Sequence, residues 1–318
     1  MLLLVAIATV VPELITGSTP IIAFLNPATI LFLVIGYGIP VLLIRELIVR
    51  RSLSLPAAVC LGLTYGIVNE GLFARTIIQQ HSLPIPQYDH YGFLIGISLP
   101  WTAGICTWHA FASVLFPIAL THRRFPDSAQ RTWISGRACT SLTLFLVIFS
   151  CLSFMRHTVS GNQGTPRLLL ILIGSIAAIV AIALNLPSQI AAEDDRPTNL
   201  RMCLLAGFSV IIPFDVCLSA VANSKLPIAI YFTLLVLSIV AYGRFMVARG
   251  WQYGAAFAAF GIGWYAHNAF ESLLVIGLAQ HAIVIAAETA VLDIIMLRLM
   301  WKLVMRGARA QIAPITSP

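Results

Sequence analysis

Ten stretches of this chain, each about as long as a bilayer is thick, are nearly free of charge, and no other feature restricts its fold as strongly. They lie near residues 2–17, 27–49, 54–79, 95–120, 137–155, 167–187, 201–222, 226–246, 252–277 and 280–304. Inside hydrocarbon the backbone has no water to bond. A run of about 20 apolar residues therefore crosses as a helix, whose N–H and C=O groups pair internally. Composition agrees: of 318 residues, 59% are hydrophobic and only 10% charged, and the mean hydropathy is +0.93. A water-soluble chain carries about 25% charged residues. The expected fold is an all-α polytopic membrane helix bundle of about ten transmembrane helices, with residues 1–318 as one integral membrane domain.

Basic residues set the orientation, because Lys and Arg collect in short cytoplasmic loops. With both termini cytoplasmic, all but four of the nineteen Lys and Arg fall on the inner side. The outer four are Arg75, Arg156, Arg167 and Lys225. The net charge of +7 then follows from topology and anionic lipid, so the partner is the bilayer and not nucleic acid. The expected location is a bacterial or archaeal plasma membrane. The first stretch begins at Met1 with no basic flank and does not read as a cleavable signal peptide; whether the N-terminus is complete stays open. All six cysteines sit in apolar stretches without a CxxC pair, which fits small buried hydrophobes better than disulfides or zinc ligands.

The fourth and ninth stretches resemble each other. G-I-C-T-W-H-A-F-A-S-V-L (104–115) and G-W-Y-A-H-N-A-F-E-S-L-L (263–274) share Gly, Ala, Phe, Ser and Leu at aligned positions. The second and seventh each carry an Ile-Pro, at Pro40 and Pro213. A five-plus-five inverted repeat is the corresponding architecture, and secondary transporters use it.

An ionisable side chain within a span costs about 3 kcal/mol on insertion scales, so its position is informative. Glu13, Glu70, His109, Asp215, His267, Glu271 and Glu288 all fall between the midplane and the outer surface. Asp293, near the middle of the tenth stretch, is a partial exception. The simplest arrangement is one polar cavity, open or gated toward the outside. His267 and Glu271 are four apart and share a helix face, with Gly263 one turn earlier leaving room beside them. That spacing suits a carboxylate orienting an imidazole, two ligands of one metal, or a hydrogen bond between helices. Asp215 and Glu288 are candidate substrate-binding groups or buried partners of a base. Glu46 beside Arg45 reads as an interfacial charge pair.

The third stretch holds the sharpest local pattern, Y-G-I-V-N-E-G-L-F-A-R (65–75), with Glu70 five residues before Arg75 and His109 in the next span. This resembles the CPBP intramembrane proteases (the CAAX-protease and bacteriocin-processing group). Their motifs are E-E-x-x-x-R on one helix, then F-x-x-x-H, then H-x-x-x-N. Here the second Glu is Gly71, the Phe is Ile105, and the last motif reads H-N-A-F-E from His267. The resemblance implies a hydrolase with Glu70 as general base and Arg75 as its partner. It also implies His109 and His267 polarising water or holding an oxyanion, with Asn268 as a nearby donor.

Apart from any family, a carboxylate in an apolar site beside histidines is suited to take a proton from water. Glu70, His109, His267 and Glu271 are also a candidate nitrogen and oxygen ligand set for a metal; the residues name no cofactor. The leading reading is an intramembrane hydrolase acting on a membrane-embedded or lipidic substrate. A secondary transporter for a small molecule, proton-coupled through the same groups, is the alternative. Its Gly/Pro break would be Gly36-Tyr37-Gly38-Ile39-Pro40. A structural membrane protein is the third reading.

Overall fold

In the computed structural model, long helices follow the apolar stretches. The residues described are 1–15, 19, 21–80, 83, 86–156, 158–159, 162–163, 165–187, 199–247, 255–280 and 283–312. The helices are α1 (Leu2–Ile15), α2 (Pro27–Arg51), α3 (Leu55–Phe73), α4 (Leu99–Arg124) and α5 (Gly136–Arg156). They continue as α6 (Pro166–Asn185), α7 (Leu200–Asn223), α8 (Ile228–Val247), α9 (Ala255–Gln280) and α10 (Ile283–Ile312). Among the described residues, α2 to α6 are long and apolar enough to cross a membrane. The protein is thus an all-α membrane helix bundle. Proline opens α2, α3, α4 and α6, where its missing N–H removes nothing from the helix. Asn26 and Thr165 cap the starts of α2 and α6 with side-chain oxygens.

The buried side chains form two apolar clusters. The first joins α1, α2, the start of α3, the second half of α4, α9 and α10 through Leu4, Val41, Leu61, Phe116, Phe257 and Val304. The second joins the end of α3, the start of α4 and α6 to α8 through Leu72, Trp101, Leu172, Leu218 and Tyr231. Both clusters run through α3 and α4, so these two helices carry the seam between them. Their approach depends on Gly62 and Gly66. A Cβ at Gly62 would lie 2.7 Å from the Ala110 Cα, and one at Gly66 would lie 2.6 Å from the Cys106 Cα. Small residues four apart let two membrane helices touch backbone to backbone. Outward from the seam, α5 and α6 expose Leu144, Val147, Leu152, Leu170 and Ile182, which suits a lipid-facing surface.

The two ends of the bundle are built differently. At one end a β-hairpin (Phe93–Leu94 with Ile97–Ser98) and short 3₁₀ turns connect α3 to α4. Lys225, after α7, donates to the Gln87 and Asp89 carbonyls at 3.0 and 2.8 Å and holds this hairpin end down. At the opposite, basic end Arg45 and Glu46 are 0% exposed and ion-paired at 2.6 Å. The expected interfacial charge pair is therefore a buried one. Arg45 also donates to His122 and to the Ser128 and Ala129 carbonyls, and lies 3.6 Å over the Trp133 ring. Glu46 accepts from the Trp133 backbone N–H at 2.9 Å. A buried charge survives only with a full set of partners, and here His122 in the last turn of α4 and the residues after that helix supply them.

The seam gives a direct test. Gly66→Ala is expected to lower the unfolding temperature in detergent, because helix backbones must separate. Gly174→Ala, where nothing lies within 4 Å of the new Cβ, is expected to be neutral or slightly stabilising.

Candidate functional site

Each of α2, α3 and α4 contains one π-helical turn: Val34–Gly38, Val68–Phe73 and His109–Leu115. Such wide turns free backbone carbonyls and recur at functional sites. Proline accounts for two of them. Pro40 has no N–H to give the Gly36 carbonyl four residues back, and the Tyr65 hydroxyl donates to that oxygen at 3.0 Å instead. In α4 the Phe116 N–H bonds the Phe111 carbonyl, and Pro117 has none to offer the next one. The Tyr265 hydroxyl of α9 donates to this Ala112 carbonyl. Two buried tyrosines thus stand in for the donors that two prolines lack.

The third wide turn presents Glu70 to His109. Glu70 Oε1 and His109 Nε2 lie 2.8 Å apart, with the His side chain 2% and the Glu side chain 11% exposed. A carboxylate only accepts, so Nε2 carries the proton. In the neutral ring Nδ1 then accepts from the Ser113 hydroxyl at 2.9 Å. The second carboxylate oxygen accepts from the Thr76 hydroxyl, which itself accepts from Trp101 Nε1 at 2.8 Å. Around the imidazole stand the rings of Trp108, Tyr65 and Tyr37, at centroid distances of 5.1, 5.5 and 6.0 Å. Asn69 donates to the Tyr65 hydroxyl at 2.9 Å. All three wide turns therefore meet at one buried Glu–His pair.

The sequence-derived candidates separate into groups. Glu70 and His109 come together. Arg75 does not share their helix: α3 ends at Phe73, and Arg75 is buried in a left-handed conformation with φ 61°. That reversal brings Thr76, not Arg75, onto the Glu70 carboxylate. His267 packs edge-on against Phe208 of α7 at 5.3 Å, and its Nδ1 has no hydrogen-bond partner. Gly263 leaves no spare room beside it, since a Cβ there would lie 2.0 Å from the Leu204 carbonyl oxygen of α7. Asn268 turns the other way and accepts from Trp108 Nε1 at 3.1 Å, one residue from His109. Glu271 is exposed. The side chains of Asp215 and Glu288 lie outside the described residues. Among the described residues no three His, Cys, Asp or Glu side chains gather as a metal site, and the four candidate ligands contribute only the Glu70–His109 pair.

A family model matches residues 2–313. The chain belongs to an uncharacterized membrane protein family. Comparison with curated proteins and with solved structures returns no match. For this family member the geometry adds residues that spacing alone did not single out as parts of the site: Tyr37, Asn69, Thr76, Trp101 and Ser113. Two of them had a legible signal, since Ser113 is one turn from His109 and Asn69 one turn from Tyr65. Glu13, counted among the polar groups, also reaches toward the site, where its carboxylate interacts electrostatically with Tyr37. It accepts from Thr19, six residues on, just as Glu70 accepts from Thr76.

The tyrosine donors can be tested one by one. Tyr65→Phe and Tyr265→Phe each leave a buried carbonyl bare and should cost about 1–3 kcal/mol in unfolding free energy. Unfolding in detergent with increasing denaturant would measure it.

Proposed function

We propose that this protein is an intramembrane hydrolase in which Glu70, oriented by His109, takes a proton from water. The observation that carries the reading is the buried 2.8 Å contact between Glu70 and His109, on two adjoining wide turns. The carboxylate itself fixes the imidazole tautomer, Ser113 holds the ring through Nδ1 and Thr76 holds the second carboxylate oxygen, so the base is held in one orientation. Each carboxylate oxygen keeps a further lone pair for a water proton. The resulting hydroxide adds to the carbonyl carbon of an amide or ester, and Glu70 returns the proton to the leaving nitrogen or oxygen. A membrane-embedded or lipidic substrate fits an apolar surround of Tyr37, Trp101 and Trp108. The likeness of the Glu70 and His109 motifs to the CPBP proteases supports the same chemistry. The role that likeness gives to His267 finds no support, because His267 faces Phe208.

Glu70→Gln is the decisive variant. The amide can donate to Nε2 while His109 takes its other tautomer and donates to Ser113, and Thr76 still finds an oxygen. Stability should therefore change by no more than about 1 kcal/mol, while turnover of membrane-spanning peptides or ester lipids in liposomes falls about 100-fold or more. Wild-type turnover by Glu70→Gln would remove this reading.

A second reading, a proton-coupled carrier built from inverted repeats, is favoured by one observation: a further buried carboxylate, Glu13, held by Thr19 as Glu70 is by Thr76. Acid-driven solute uptake lost in both Glu13→Gln and Glu70→Gln, with no hydrolysis by the wild type, would select it.

A further inference from the structure

Away from the Glu70–His109 pair, α10 carries Asp293 on its core-facing side, in line with Met300 and Val304. Asp293 is 2% exposed, and neither carboxyl oxygen has a hydrogen-bond partner. The helix packs against α9, the second half of α4, and α1. Among the described residues, the titratable and charged groups on those elements are engaged elsewhere or exposed. His122 accepts from Arg45, Arg123 donates to the Val304 carbonyl, and Arg124 lies over the Phe125 ring. His267 lies against Phe208, Glu271 is exposed, and Glu13 is bonded to Thr19. On α10 itself Arg298 and Lys302 are exposed. None of these makes a salt bridge or hydrogen bond with Asp293.

We infer that Asp293 is a proton-binding site, separate from the Glu70–His109 pair, whose carboxyl is neutral in this packed arrangement. An ionised carboxylate with no partner in a bilayer core is among the most costly groups a membrane helix can carry. A metal ion would require several more oxygen or nitrogen ligands, and among the described residues no such cluster exists. A proton requires only one carboxylate oxygen. Release of that proton must then admit water or part α10 from its neighbours, which couples helix packing to pH.

The linkage has a definite sign. Charging the buried, unpartnered Asp293 costs the folded state its packing or its dryness, and costs the unfolded chain nothing. Stability therefore falls as pH rises and the carboxyl is drawn into its charged form. The test uses the full-length protein in lipid, with infrared spectra recorded across pH. The wild type should show a protonated carboxyl stretch that persists near neutral pH, is retained in Glu70→Gln and is absent in Asp293→Asn. The same Asn variant should lose the Asp-dependent fall in thermal stability with rising pH. Identical spectra for the wild type and Asp293→Asn near neutral pH would overturn the inference. If Asp293→Asn does not fold, Asp293→Glu replaces it: the stretch should move in frequency, and an unmoved band would equally overturn the assignment.

Discussion

A bilayer interior offers no water to a backbone carbonyl that has lost its donor, and the site of this protein is organised around that fact. Pro40 and Pro117 each withdraw an N–H from a helix that must stay buried. The structure answers with Tyr65 and Tyr265, whose hydroxyls reach across to the freed oxygens. The tyrosines are themselves fixed by packing, with Tyr265 0% and Tyr65 2% exposed. Each substitution of donor ties one helix to another: α3 to α2, and α9 to α4. The wide turns are thus held by tertiary contacts, and their widening turns Glu70 and His109 toward one another.

The seam between two apolar clusters is a suitable place for such a pair. Gly62 and Gly66 bring α3 and α4 to backbone contact, and this close approach sets Glu70 and His109 of the two helices within hydrogen-bond reach. The surrounding donors are complete: Ser113, Thr76 and Trp101 leave neither ring nor carboxylate short of a partner. A fully satisfied polar network of this kind is rigid, which suits a group that must present one lone pair in one direction.

Much of this was legible in the sequence, and what was not has a physical reason. Apolar runs located the helices because length and charge exclusion are properties of a segment alone. Glu70 and His109 stood out because ionisable groups in apolar runs are costly. Their shared depth put them in one polar cavity, but their direct contact crosses helices and no local spacing shows it. Arg75 was misplaced because nothing local announces that α3 ends at Phe73 and that the chain reverses through a left-handed arginine. Gly263 was read as spare room, whereas a glycine in a bundle is equally an invitation to a neighbouring backbone, here that of α7. Glu46 was read as part of an interfacial charge pair because, beyond the nearby Arg45 and Arg50, its further partner is the Trp133 N–H, 87 positions away. Two of the three wide turns have a proline signal, but the tyrosines that stabilise those two lie on other helices.

The fastening at the basic end has a consequence for how the molecule moves. There α2 is pinned to the residues after α4 by a dry ion pair, a stacked tryptophan ring and carbonyls that clasp the guanidinium. Among the described residues, the hairpin end is held by Lys225 on two carbonyls and by Tyr91 and Tyr231 donating to the Leu226 and Pro100 carbonyls. Breaking a buried ion pair leaves an uncompensated charge, which costs more than losing neutral bonds. The basic edge is therefore like the binding of a book, the last part to come apart when the bundle opens.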